Sequence, residues 1–318
     1  MRQYITRRLL QAIPLLLGIS VVAFLIVQAI PGGALGAYGV DSGAISGEDL
    51  ARLSEQLGLN RPPHEQYLSW LSRFLQGDWG RTVLRRLEVQ PLVMEALART
   101  VVLISTSLVV GLGFGVTFGI IAAVRRYSLI DMVVTTISFI GLSMPIFWSG
   151  LILILVFAVY LNWLPGGGMF TPGQPESLID RLQHMILPVS ALAFPIAGEY
   201  ARYVRSSLLE TLTQDFVLTA HAKGLTRRTV MIRHALRNSL IPLVTVVALQ
   251  LPWMVAGLVV TESIFTWPGM GRLLWTAALQ HDFPLVMAIT MLVAIAVLFF
   301  NLLADVIYAY LDPRIAYA

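Results

Sequence analysis

Six stretches of about 20 predominantly apolar residues constrain this sequence most, because a helix of that length can cross the hydrocarbon core of a membrane. They occupy residues 10–30, 101–124, 132–161, 185–203, 240–261 and 285–310. The whole chain is 57% hydrophobic and 13% charged, whereas about a quarter of the residues in a soluble domain are charged. The sequence therefore predicts an all-α integral membrane protein with six transmembrane helices.

The first apolar stretch resembles a secretory signal, but it is longer than the roughly 7 to 15 residues of a signal's hydrophobic region. We expect residues 1–30 to form a short cytoplasmic N-terminus and an uncleaved transmembrane helix. Cleavage within residues 34–37 is the alternative.

The distribution of positive charge predicts the orientation of the helices, since short cytoplasmic loops are enriched in arginine and lysine. A cytoplasmic N-terminus places the basic connection 206–239 inside and leaves only Arg181 and Arg272 in the two short outer loops. Residues 31–99 then form an external segment, which is long enough to be exempt from this rule. We expect a multi-pass protein of the cell (plasma or inner) membrane with both termini in the cytoplasm. On this interpretation the net charge of +4 reflects topology and not a nucleic-acid partner.

Two parts of the external segment have helical patterns, at residues 47–59 and 64–80. The second repeats apolar side chains at Tyr67, Leu68, Leu71, Phe74 and Leu75, which is typical of an amphipathic helix. We expect small amphipathic helices at the outer surface, followed by a five-helix core at residues 100–318. Four tryptophans near the predicted outer boundary indicate an aromatic belt: Trp79, Trp163, Trp267 and Trp275.

The second apolar stretch carries Gly111, Gly115 and Gly119 on one helix face. Glycines four residues apart let another helix approach closely, so this face predicts a packing seam. The partner across the seam is either another helix of the same chain or a second subunit.

Ionisable and proline residues within the stretches are few. Glu199 and Arg202 stand three residues apart and are expected to pair. Pro145, Pro195 and Pro252 interrupt the third, fourth and fifth stretches and can kink them.

No carboxylate lies at mid-membrane depth beside a titratable partner, which argues against a secondary carrier driven by an ion gradient. That carrier is the alternative function.

Several chemistries are excluded by the residues present. The chain has no cysteine, which excludes disulfides and thiol catalysis. Its sole lysine, Lys223, does not stand in a Gly-Lys-Ser/Thr phosphate loop. His64 and Glu65 begin a zinc-protease pattern, but Leu68 occupies the place of the second histidine. We expect no enzymatic activity, no metal and no cofactor bound by this chain.

The basic connection 206–239 has the pattern of two helices separated by Gly224. Thr226 is positioned to cap the second helix. Ala220, Ala222 and Gly224 leave a small-residue surface at the break, where the groove of a partner could approach the backbone. The alternative is that the arginines only fix topology and attract anionic lipid.

This connection resembles the cytoplasmic coupling loop of the permeases of ATP-binding-cassette (ABC) importers, specifically of the dipeptide/oligopeptide/nickel family. The stretches that carry the resemblance are AKGL at 222–225, RHALRN at 233–238 and LIP at 240–242. The chain departs from the common pattern at Leu218, where glutamate is frequent, and at Arg237, where proline is frequent. Stretches along the whole chain are similar to the B-type inner-membrane subunit: LGLNRPPHEQYLSWLSRFLQGDWGRTV, SMPIFWSGLILILVF, YLNWLPGGG, TESIFTWPGMGRLL and LADVIYAYLDPRI. After the first span that family usually reads PGDP, whereas this chain reads PGGA.

The resemblance implies a type I ABC importer (MetI-like) permease fold with cytoplasmic coupling helices. In such importers two permease subunits span the membrane, two cytosolic ABC ATPase subunits hold ATP and Mg, and an external substrate-binding protein delivers the cargo. For this chain it implies peptide transport together with a related C-type permease. Members of the family also carry nickel chelates and oligosaccharides, and the cargo is selected mainly by the binding protein.

The resemblance also implies which residues meet the partners. Those expected at the ATPase are Ala220, Ala222, Lys223, Gly224, Leu225 and Arg228. Those expected at an outer gate, or in contact with the binding protein, are Glu262, Phe265, Trp267, Pro268 and Gly269.

Overall fold

The computed structural model describes residues 2–29, 60–175, 177–240, 243–244, 246–248, 250 and 258–311. Its helices, numbered along the chain, are α1 (Arg2–Ala29), α2 (Pro63–Leu75), α3 (Val89–Val124), α4 (Leu129–Ser143), α5 (Ile146–Leu153, continued by π-helical Ile154–Tyr160), α6 (Leu178–Thr211), α7 (Asp215–Ala222), α8 (Arg227–Thr229, π-helical Val230–Leu236 and Arg237–Ser239), α9 (Leu258–Ile264), α10 (Met270–Leu279) and α11 (Phe283–Leu311). Within these residues the β pairing is confined to one bridge between Arg81 and Glu88. The all-α prediction is therefore confirmed for the described part of the chain.

Within the described part of the chain, three helices are long and apolar enough to cross a membrane: Thr6–Ala29 within α1, the whole of α3, and Phe283–Ile307 within α11. Helices α4 and α5 pass the same test as a bent pair. The fourth predicted span, 185–203, lies inside α6. Half of the fifth, including Pro252, lies outside the described residues, as do the predicted external helix at 47–59 and the PGGA turn. The count of six transmembrane helices therefore stays a prediction.

The third predicted span is a sharply bent pair and not one helix, since the axes of α4 and α5 differ by 106°. The cause is Pro145, which disfavours helical backbone in the residue before it. Met144 accordingly adopts extended φ and ψ angles of −84° and 123°, and α5 restarts directly after the proline. Pro188 and Pro195, by contrast, lie inside the unbroken helix α6.

Contacts divide the chain into two units, of which the first comprises Met1–Thr100, Val255–Val259 and Pro268–Leu302. Its α2 presents a row of neighbouring aromatic rings, Tyr67, Trp70 and Phe74, of which the last two stack on each other and continue to Trp79. The hydroxyls of Tyr67 and Ser20 of α1 share a hydrogen bond of 2.8 Å. Helix α2 is therefore amphipathic, as predicted, but its packed face is aromatic, and Leu68 and Leu75, which were predicted on the apolar face, are exposed.

The second unit comprises Val101–Met254, Val260–Trp267 and Leu303–Ala318, and α6 packs there against α3. The face of α3 that carries Gly111, Gly115 and Gly119 meets α6. A β-carbon at position 115 would lie 2.9 Å from Cβ of Tyr200, and one at position 119 would lie 2.6 Å from the carbonyl oxygen of Ala201. Glycine is therefore needed for this approach, and the predicted seam packs within the chain.

Helix α6 also packs closely against α4, which runs antiparallel to it. A β-carbon at Gly198 of α6 would lie 2.8 Å from the carbonyl oxygen of Ser138. One at Gly141 of α4 would lie 3.3 Å from the ring of Phe194. Helix α6 thus approaches two helices of this unit through small residues.

The tryptophans do not form the single belt that the sequence indicated. Trp163 and Trp275 are exposed, as a lipid or interfacial position requires. Trp267, however, is completely buried inside the second unit, and the belt assignment is wrong for it. Its burial follows from a turn after α9, where the Trp267 amide donates to the Glu262 carbonyl at 2.8 Å.

Replacing Gly115 by leucine is expected to destabilise the protein in detergent, because the added carbons overlap Tyr200 and the α6 backbone. Overpacking of this kind costs about 1–3 kcal/mol of unfolding free energy. Gly113→Leu is the matched control, since a β-carbon there meets nothing within 4 Å. Thermal unfolding of both variants checks this, and equal losses in stability would contradict the seam.

Candidate coupling surface

Helices α7 and α8 form a short hairpin, called here the α7–α8 hairpin (residues 215–239), which follows the end of α6. Three residues, Leu212, Thr213 and Gln214, separate it from α6, and the Thr213 amide donates to the Glu210 carbonyl at 3.2 Å. The predicted break at Gly224 is confirmed, but the helix predicted before it is itself interrupted at 212–214, and residues 206–211 belong to α6.

The break is a glycine-terminated helix end. The Gly224 amide donates to the His221 carbonyl at 2.9 Å, and the Leu225 amide donates to the Ala220 carbonyl at 3.3 Å. These two bonds satisfy carbonyls at the end of α7, and they require left-handed backbone at the residue after the cap. Gly224 has a φ of +78°, a conformation that glycine adopts without strain.

The second helix begins at its predicted cap. The Thr226 side chain accepts a hydrogen bond from the Thr229 amide at 3.4 Å, as expected of an N-cap residue. At the other end of α8 the Ser207 hydroxyl of α6 donates to the Ser239 carbonyl at 2.9 Å. Both ends of α8 are therefore fixed by side-chain hydrogen bonds.

One face of the hairpin is buried within the second unit. Val217 and Ala220 of α7 and Val230 of α8 pack with Leu208 of α6 and Ala123 of α3. This cluster joins the hairpin directly to α3 and α6. It also removes Ala220 from the exposed apex, so contact with a partner falls to the other five predicted residues.

The opposite face is exposed. Ala222, Lys223, Gly224 and Arg228 are all exposed, and Leu225 is 38% exposed. Exposed apolar side chains flank them on both helices: Phe216, Leu218 and Ile232. The result is a small apolar surface bordered by cations, which suits a groove in another protein.

The predicted outer-gate segment is mostly packed within the second unit. Glu262, Phe265 and Trp267 are buried. Of the residues in the turn, Thr266 is exposed and has a φ of +47°. The remaining predicted residues, Pro268 and Gly269, are half-buried and buried, respectively.

A glycine loop covers this segment. The Gly168 amide donates to the Phe265 carbonyl at 2.8 Å, and a β-carbon at Gly167 would lie 2.6 Å from the Thr266 hydroxyl oxygen. The glycine run at 166–168 therefore serves close packing within this unit.

The same loop continues to an aspartate at the start of α6. The Thr171 amide and hydroxyl donate to the two carboxylate oxygens of Asp180, each at 2.7 Å. Hydrogen bonds donated to a carboxylate stabilise its charged form, so the two bonds from Thr171 lower the pKa of Asp180. His184, one turn along, is buried, with Nδ1 2.9 Å from the Asp180 carbonyl oxygen.

The predicted pairing of Glu199 with Arg202 is wrong. The Gln250 amide donates to Glu199 at 3.0 Å, and the Arg202 guanidinium lies 4.5 Å from the ring centroid of Phe139. The physical reason is that residues distant in sequence offer each group a separate partner: the amide of Gln250 for Glu199 and the aromatic face of Phe139 in α4 for Arg202.

The sequence did not reveal an ion pair between α4 and α6. Arg205 Nε and Nη2 donate to the two carboxylate oxygens of Asp131 at 2.6 and 2.8 Å. The two residues lie 74 positions apart, and Arg205 was counted only as topological charge. The available signal was Asp131, which lies in the first turn of a helix capped by Ser128.

An apolar cavity of about 430 Å³ lies within the second unit, beside the bend between α4 and α5. It lies between α3, α4, α5 and α6, and Ser138, Ser149 and Ser190 are the polar side chains of its lining. The bend at Pro145 borders this cavity, as expected where a proline breaks helix packing.

Comparison with known proteins extends over the whole chain. Residues 115–317 match the family described as binding-protein-dependent transport system inner membrane component. Residues 1–84 match the family that describes the N-terminal part of such membrane components.

Three relatives illustrate the similarity. The oligopeptide transport system permease protein AppB of Bacillus subtilis (strain 168) is 43% identical, over 100% of both chains. The dipeptide transport system permease protein DppB of Escherichia coli (strain K12) is 36% identical, over 99% of each. The glutathione transport system permease protein GsiC of Salmonella typhi is 36% identical, over 100% of each.

Substitutions at Gly224 test the turn. Gly224→Val is expected to loosen the end of α7, because a β-branched residue in left-handed backbone costs about 1–2 kcal/mol. Gly224→Asn is the matched control, since asparagine tolerates that conformation and a β-carbon has free space there. Hydrogen exchange of α7 should accelerate about tenfold for valine and much less for asparagine. Equal acceleration would show that the φ angle is not what matters.

Proposed function

Because this chain belongs to the family of binding-protein-dependent transport system inner membrane components, we propose that it is a permease subunit of an ATP-driven importer of peptides. The observation that carries the proposal is its full-length similarity to AppB and DppB, whose names specify oligopeptide and dipeptide transport. The exposed face of the α7–α8 hairpin supports the same function. The substrate-binding protein would deliver the peptide from outside the membrane.

The α7–α8 hairpin is the surface that receives the ATPase. Its exposed small residues allow a groove to approach the backbone, and Lys223 and Arg228 add charge at its border. Its buried face contacts α3 and α6. Movement of the docked ATPase would therefore reach these helices through packed side chains, which is a rigid-body mode of transmission.

The proposed topology places both termini and the hairpin in the cytoplasm. Helices α3 and α6 run parallel along their glycine seam, so both would enter the cytoplasm at their C-terminal ends. Short basic segments follow each of them, in agreement with the positive-inside rule. Thr266 and Pro268 would then be the accessible residues of the outer-gate segment.

The work of transport comes from partner subunits. We propose two ABC ATPase subunits that bind ATP and Mg²⁺, and a second permease of related C-type sequence. This chain would supply the membrane path and the mechanical contact, with no nucleotide of its own. The ion-gradient carrier that the sequence left as an alternative is not supported, since the relatives are transport-system permeases.

Reconstitution in proteoliposomes tests the proposed function. The complete complex with its binding protein should accumulate a radiolabelled peptide only with ATP, and the isolated chain should accumulate none. Di- and oligopeptides serve as probes, and ATPase subunits inactivated in their phosphate-binding loops serve as the matched control. Accumulation by the isolated chain on a proton or sodium gradient would contradict the proposal.

A further inference from the structure

The ion pair between α4 and α6 is bidentate, and its carboxylate is buried. The Asp131 side chain is 6% exposed and the Arg205 side chain 26% exposed. Besides the two bonds from Arg205, the carboxylate accepts from the Tyr127 amide at 2.9 Å and from the Thr135 hydroxyl at 3.4 Å. A bidentate guanidinium–carboxylate pair fixes orientation as well as distance.

The pair is adjacent to the attachment of the α7–α8 hairpin. Leu208, three residues after Arg205, belongs to the cluster that buries the hairpin. Ser207 donates to the Ser239 carbonyl at the end of α8. One turn of α6 therefore holds both the hairpin and the first turn of α4.

The pair also sits at one end of a rigid element. Helix α4 spans Leu129–Ser143, about 22 Å at 1.5 Å per residue. Its other end is the bend at Pro145 beside the apolar cavity. Displacement of its first turn would therefore move the bend, because a helix transmits displacement along its axis.

Other contacts between α4 and α6 do not hold the helix ends in this way. Gly198 meets Ser138 and Gly141 meets Phe194 through close van der Waals approach, which permits sliding. Among the described residues, the bidentate pair is the ionic contact between these two helices. Arg202, one turn away, lies over the ring of Phe139 in α4 and makes a cation–π contact there.

We propose that Asp131 and Arg205 are positioning residues for transport, which transmit movement of the docked α7–α8 hairpin into α4 and its bend. This inference rests on the proposed function and adds the path by which ATP hydrolysis is coupled to the membrane cavity. Loss of the pair would leave the ATPase contact intact and disconnect it from the bend.

The test compares ATP hydrolysis with peptide uptake in the reconstituted complex. The double variant Asp131→Asn with Arg205→Gln removes both charges together, since removing one leaves a buried charge uncompensated. ATPase activity per complex should stay near the wild-type value, whereas peptide uptake per ATP should fall about tenfold, within the usual range of coupling between sites. Arg205→Lys, which keeps the charge and loses the bidentate geometry, should give an intermediate ratio.

Arg202→Gln is the matched control, because it removes an arginine one turn away on the same helix, with its contact to the Phe139 ring of α4, but leaves the bidentate pair intact. If the pair itself transmits movement, uptake per ATP should stay unchanged in this variant. Uptake per ATP equal to wild type in the double variant would overturn the proposal. So would parallel losses of uptake and hydrolysis in proportion to the amount of assembled complex, which indicate a merely structural pair. A wild-type complex that fails to use ATP for peptide uptake would instead contradict the proposed function.

Discussion

Close backbone packing on two sides of α6 is the constraint on which the second unit depends. Glycines of α3 meet one side, and Gly198 and Gly141 allow α4 to meet the other. Helices within a membrane gain little from the hydrophobic effect, so small residues and short contact distances provide most of the attraction. These close contacts with α3 and α4 fix the position of α6. Its C-terminal part then packs against the α7–α8 hairpin through Leu208 and binds Asp131 of α4 through Arg205.

This arrangement suits the mechanical role proposed for the chain. The hairpin has a buried face that belongs to the unit and an exposed face that is free for a partner. The left-handed turn at Gly224 keeps the apex compact. Helix α4 then links the base of the hairpin to a sharp bend and an apolar cavity. A partner that moves the apex acts on the helices through contacts, as a transport subunit driven by another protein requires.

Local signals in the sequence predicted much of this structure. Apolar length identified α1, α3 and α11, and Gly224 with Thr226 identified the break and the cap of the hairpin. The glycine spacing identified a seam but not the helix across it, because spacing describes one surface only.

Pairing between residues distant in sequence could not be predicted from these local signals. Glu199 and Arg202 were expected to pair with each other, and the pair of Asp131 with Arg205 was missed. Burial of Ala220 likewise depends on a segment distant in sequence, because it packs in one cluster with Ala123 of α3. The full-length resemblance predicted the family, and the comparisons confirm it.

The most direct measurement of the central claim is site-specific crosslinking at the apex of the hairpin. The chain has no cysteine, so a single Leu225→Cys introduces one reactive thiol, and Ala220→Cys provides a buried comparison in the same turn. In the assembled, active complex the thiol at position 225 should crosslink to an ATPase subunit and should not react with thiol reagents added outside the cell. The thiol at position 220 should not crosslink. Reaction of position 225 from the outside only, or an active complex without any ATPase crosslink, would contradict the account.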